Sequence, residues 1–362
     1  MSESSVCIGI TRREFINTSQ AALVAAALGA SACSRSPARP VVSVVRIQNG
    51  RIDYAVDQAI DLLGGIRSVT NGKNQIMLKP NLVAPGPTFT TKPQVIQALA
   101  RLMKGARKEV LIGEGSAAAE GFNVKGKEMF RTRRGDLIDG MQQHVFRQLG
   151  YTDLSESLGV PLVNLHAANL VEVDLPGGFV HKKLTMHKSL TDIDLLCSVP
   201  MMKTHKIANV TLGMKNLIGL YPGTVYQAPR ALLHDRNSEL EPSGTAAAIV
   251  DMVRATRLGL VVVDGSMAME GEGPSEGTLV KMDVIVAGTN PLATDMVAAA
   301  IMGFRPEEVP TFDWAQKAGM TPATLQEVEI RGEPIERVRR NFVKPQLMAW
   351  ADIRKVWATK EI

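Results

Sequence analysis

Short runs of β-branched and apolar residues alternate with segments of helical spacing along this chain, and that alternation commits it to an α/β architecture. Residues 41–47 read as a strand and 54–63 as a helix that ends at Gly64-Gly65. The next strand covers 75–83, and Thr90-Thr91-Lys92-Pro93 opens a helix over 94–103 with proline in its first turn. Further strands are expected at 109–112, 160–165, 193–199, 258–263, 282–287 and 325–330, with helices at 137–149, 245–256, 291–302 and 310–318. Segments 170–175 and 183–187 can pair as a hairpin across Pro176-Gly177-Gly178, while 121–134 and 226–242 read as irregular. The expectation is a mostly parallel sheet flanked by helices, in one body or two lobes, with a pocket at the strand carboxyl ends.

One stretch stands out against this background. Residues 200–223 follow the apolar run 193–199 and place three lysines, one histidine and two asparagines among small and apolar residues. A segment of that composition is expected to be largely buried. Burying unpartnered cations costs several kcal/mol each, so the retained lysines are expected to face something anionic.

The Lys203-Thr204-His205 run and the following Gly213-Met214-Lys215-Asn216-Leu217-Ile218-Gly219 do not stand alone. Together with Leu78-Lys79-Pro80-Asn81-Leu82, Gly113-Glu114-Gly115-Ser116, Asp264-Gly265 and Glu270-Gly271-Glu272-Gly273-Pro274, they resemble domain-of-unknown-function family 362 from about residue 41 to residue 319. The resemblance implies no assigned reaction. Some members of that family add cysteine-rich iron–sulfur modules. This chain has only Cys7, Cys33 and Cys197, so no cluster held by four cysteines is expected.

Four of these stretches fall where strands are expected to end, which is where ligands sit in open α/β sheets. Lys79, Asn81, Glu114, Gly115, Asn216 and Asp264 are therefore candidate ligand-binding residues, and Lys203, His205 and Lys215 candidate catalytic ones. The glycine-flanked Glu114 lacks the spacing of a dinucleotide or Walker loop, so a nucleotide fingerprint is absent. Glu270 and Glu272 lie on a glycine-rich loop that could wrap a hard divalent cation, with His234 as a further ligand, or they could be solvated acids on a turn. The order His205, Lys215, Pro222-Gly223 and His234 is also loosely similar to nickel-dependent lactate racemase. That similarity implies a racemase- or epimerase-like alternative with a metal cofactor near Lys215.

Residues 1–33 read as a targeting segment. Thr11-Arg12-Arg13-Glu14-Phe15-Ile16 resembles a twin-arginine signal, and 21–29 form an apolar run too short to span a bilayer. Ala30-Ser31-Ala32 offers a cleavage site, and Cys33 directly after it offers lipid anchoring to a membrane as an alternative to release. The expected partners are thus the twin-arginine export machinery and a small anion, in the periplasm or an equivalent exported location. Residues 34–40 read as a linker, 41–332 as the α/β domain and 333–362 as a basic, helical tail carrying Trp350 and Trp357. The net charge of +5 arises from basic residues interleaved with acidic ones, and aromatics are only 4%, so a nucleic-acid-binding stripe is not expected. The function expected is binding of an anionic small molecule or metal-bound cofactor, either as an enzyme acting on a small carboxylate or phosphate-bearing substrate or as a non-catalytic binding or assembly protein.

Overall fold

A computed structural model describes residues 38–230, 232–233, 244–348 and 360–362. Its strands, in chain order, begin with β1 (Val41–Arg46), β2 (Gln75–Pro80), β3 (Glu109–Glu114), β4 (Val124–Lys125) and β5 (Glu128–Met129). They continue through β6 (Leu162–Asn164), β7 (Leu170–Asp174), β8 (Lys183–His187), β9 (Leu195–Val199), β10 (Met201–His205) and β11 (Asn209–Thr211). The last are β12 (Leu258–Glu270), β13 (Thr278–Val280), β14 (Val284–Gly288) and β15 (Glu329–Gly332).

Eleven of these make one sheet in the order β15-β1-β14-β12-β9-β2-β3-β6, with β10 and β13 also beside β12 and β11 beside β10. From β12 through β9, β2 and β3 to β6 every pairing is parallel. Only β14 runs against its neighbours β12 and β1 in the main path. Because β2, β3 and β9 point the same way, Lys79, Glu114 and Val199 arrive at one edge of the sheet. Each of these strands is buried on both faces over most of its length, which explains the continuous apolar runs in their sequences.

The two-residue strand period divides the core. Ile76 and Leu78 of β2 pack with the helices Ile52–Leu62, Pro93–Gly105, Gly135–Gln148 and Tyr151–Leu158. Met77, between them, faces the opposite layer, built from the helices Gly244–Ala255, Pro291–Ile301 and Pro310–Lys317 and the β7–β8 hairpin. Each large side chain so buried contributes roughly 1.5–3 kcal/mol. The chain from Pro40 to Ile362 is one compact unit rather than two lobes.

Several sequence expectations are corrected. The stretch 200–223, expected to be buried but given no element of its own, forms β10 and β11 and then a 3-10 turn, Lys215–Leu220. Strand β12 runs on to Glu270 instead of ending at Val263, because β13 and β10 pair with its distal half. In the tail, only Ile335–Val338 is helical among the described residues. The signal at 1–33, Cys33, His234, Trp350 and Trp357 lie outside the described residues. No described helix is long and apolar enough to cross a membrane.

Candidate functional site

At the carboxyl edge, the ammonium of Lys79 donates to Glu114 Oε1 at 2.7 Å, to Asn216 Oδ1 at 3.0 Å and to the Pro80 carbonyl at 2.9 Å. All three of its protons are thereby used. Glu114 Oε1 also accepts from the Gly115 N–H at 2.7 Å, and Oε2 accepts from the Leu82 N–H at 2.7 Å. Lys79 and Glu114 are buried to 1% and 2% side-chain exposure. Burial pushes the Lys79 pKa down, against the attraction of Glu114.

Asn216 locks this pair to the 3-10 turn. Its Nδ2 donates to the Lys79 carbonyl and to Ser198 Oγ, so its Oδ1 must face Lys79 and Asn81. Asn81 Nδ2 donates to that same Oδ1 at 3.2 Å. The turn itself is fixed from below by Asp295, whose two oxygens accept from the Gly213 and Met214 N–H groups at 2.7 and 2.8 Å. Burial pushes the Asp295 carboxyl up to about 7. A side chain at Gly213 would stand 2.5 Å from Val261, so only glycine permits this approach.

Lys79, Asn81, Glu114, Gly115, His205 and Lys215 line one cavity of about 70 Å³, together with Gly219, Arg230 and Thr245. That volume suits a group of a few heavy atoms and is far below the roughly 300–1,000 Å³ of a drug-sized ligand site. Lys215 is half-buried at the mouth of the 3-10 turn and has no hydrogen-bond or ion-pair partner among the described residues. Its pKa is pushed down to about 7 by burial first, then by the Arg230 and Lys79 charges. His205 Nδ1 accepts from the Ile207 N–H at 3.1 Å, which leaves its proton on Nε2.

Arg230 is the principal residue that the sequence reading missed. Fully buried, it donates to the carbonyls of Tyr221, Ser116, Gly115 and Gly219 and has no carboxylate partner among the described residues. Burial lowers its pKa to about 10, opposed by Glu114. It sits in a segment read as irregular, at a positive φ of 72°, and only its charge within that segment hinted at a role. His166 is a second omission: its Nδ1 accepts from the Gly223 N–H at 2.9 Å, and burial followed by the Arg230 charge drives its pKa well down.

Other candidates are placed elsewhere. Lys203 lies beside the cavity rather than in its lining, and its ammonium donates to the Phe89 and Pro274 carbonyls at 2.6 and 3.0 Å. Burial, then the Lys215 charge, pushes its pKa well down. Asp264 is interior to β12 and accepts from the Lys92 N–H at the start of helix Pro93–Gly105 and from Ser266 Oγ at 2.6 Å. It braces a helix end instead of meeting the cavity. Glu270 and Glu272 do not converge on a cation site; they accept from the N–H groups of Val343 and Gln346 and pin the chain after residue 339. Among the described residues no set of three or more His, Cys, Asp or Glu side chains is placed to hold a metal. A larger groove of about 610 Å³ between helices Ile52–Leu62 and Pro93–Gly105 contains none of the strand-end residues.

The family described as domain of unknown function (DUF362) matches residues 76–300, and the chain belongs to it. It is 26% identical over 313 residues to a thylakoid-associated protein of Synechocystis, covering 85% of this chain and 88% of that one. Among solved structures it is similar to the lactate racemase apoprotein of Thermoanaerobacterium thermosaccharolyticum, at 14% identity and a TM-score of 0.43 over 73% of this chain. It is also similar to a Thermotoga maritima protein, at 13% identity and a TM-score of 0.36 over 65% of this chain. The chain spans 57% and 53% of the lengths of these two solved chains.

Proposed function

We propose that this protein binds a small anionic molecule in the strand-end cavity, with Lys215 as the direct contact. The observation that carries the reading is a charge imbalance: Lys79, Lys215 and Arg230 line the cavity, and Glu114 is the single carboxylate among the described lining residues. Glu114 is already bound to Lys79 and two N–H groups, so it cannot neutralise Lys215 or Arg230 as well. An anion in the cavity would supply the missing negative charge. Titration calorimetry with inorganic phosphate and small carboxylates tests this. Lys215→Met is expected to weaken binding by about 1.5–3 kcal/mol while the fold survives.

A second reading makes the bound anion a substrate. Lys215 has a pKa near neutrality and His205 lines the same cavity, a pairing suited to proton transfer in both directions. On this reading His205→Gln costs roughly 10²–10⁴-fold in turnover of a small carboxylate or phosphate ester and leaves affinity nearly intact.

We also propose that the protein acts outside the cytoplasm, delivered by the twin-arginine route or held on a membrane through Cys33. Arg12-Arg13 and the thylakoid association of the Synechocystis relative support it. Changing both arginines to lysine is expected to strand a precursor in the cytoplasm, and undiminished export would contradict it.

A further inference from the structure

The hydrogen-bonding groups of the cavity divide into those already committed and those left open. Lys79 has three acceptors for three protons, and both oxygens of Glu114 are occupied. Arg230 donates to four carbonyls. These groups shape the electrostatic field but have little left with which to touch a ligand. Lys215 remains open as a donor, and Thr245 Oγ1 is buried without a partner among the described residues.

The third open group is of the opposite kind. Asn81 Oδ1 is buried without a partner among the described residues, and its orientation is not free to change. Asn81 Nδ2 must face Asn216 Oδ1, because Asn216 Nδ2 is committed to the Lys79 carbonyl and to Ser198 Oγ. A rotated Asn81 amide would set one carbonyl oxygen against another. The cavity lining thus includes, beside its cations, a buried amide oxygen without a donor among the described residues, and a buried acceptor without a donor is costly. A fully deprotonated anion has no donor to offer it.

We infer that the ligand is an oxyanion bearing its own O–H, which donates to Asn81 Oδ1 while its anionic oxygens accept from Lys215 and Thr245. The inference rests on the anion-binding reading above and narrows it to hydrogen phosphate or a 2-hydroxycarboxylate. The shared chemistry is one donor and at least two acceptor oxygens within a few heavy atoms, which matches the size of the cavity. Selectivity then comes from an unpaired site group, the situation in which analogues lacking a hydroxyl are most strongly rejected.

The test compares matched anions by titration calorimetry on the full chain: inorganic phosphate against sulfate, and glycolate against acetate. Near pH 7 sulfate carries at least as much charge as phosphate, so attraction to cations alone predicts the reverse order. We expect one O–H-bearing member to bind about tenfold or more tightly than its partner, and the pair showing the preference names the source. In Asn81→Leu the preference is expected to shrink to about threefold or less. Equal binding within both pairs overturns the inference and leaves anion binding standing, as does a preference that persists in Asn81→Leu. Failure of all four anions to bind overturns both. If Asn81→Leu does not fold, the wild-type comparison decides alone.

Discussion

The Lys79 ammonium and the Glu114 carboxylate meet at 2.7 Å across adjacent parallel strands, each almost wholly removed from water. Removing one partner of such a pair strands the other as a buried charge. Lys79→Met or Glu114→Gln alone is therefore expected to lose about 3–5 kcal/mol of stability. The double change Lys79→Met with Glu114→Gln is expected to lose less than the sum of the single changes, as read from denaturant midpoints. Additive losses would mean that the two charges do not depend on one another.

Gly219 closes the roof of this pair. A Cβ there would stand 2.6 Å from Glu114 Oε1 and 2.8 Å from Lys79 Nζ. Gly219→Ala is expected to cost about 1–3 kcal/mol and to weaken anion binding, because the pair must shift to make room. Unchanged stability and affinity in the variant would contradict the packing described.

The Asp295 carboxyl beneath the 3-10 turn has its pKa raised from 3.8 to about 7, so between those values the folded protein holds a proton that the unfolded chain has lost. Stability from this group is complete below about pH 4 and is lost as pH rises through about 7, with a swing on the order of a few kcal/mol. Asp264 is shifted in the same direction, so the variant is needed to isolate the effect. Urea midpoints measured across this window should show a shallower fall in Asp295→Asn than in the parent, and parallel profiles would count against the assignment.

Much of this site was legible in the sequence, for a physical reason. Lys79, Glu114 and Asn216 are polar residues next to apolar strand runs, and strand direction alone brought the first two to one edge. Asp264 misled because Asp264-Gly265-Ser266 resembles a strand end, whereas β12 continues through it between β14 and β10. Lys203 lies on β10, separated from Lys215 by β11, and its ammonium is committed to the Phe89 and Pro274 carbonyls. Arg230 could not be read, because its place depends on a loop folding back over the glycines at 115 and 219, which no periodicity encodes.

The most direct measurement is the pH dependence of anion affinity. A small carboxylate such as glycolate keeps its charge constant between about pH 6 and 9, so any change in its binding reports on the protein. Because Lys215 titrates near 7 when the cavity holds no anion and binds only as the ammonium, affinity should be flat below about pH 7 and weaken by up to tenfold per unit above it. Lys215→Met should bind more weakly at every pH and show no such break. Binding that is independent of pH in the parent, or a break that survives in Lys215→Met, would contradict the assignment of Lys215 as the residue that meets the anion.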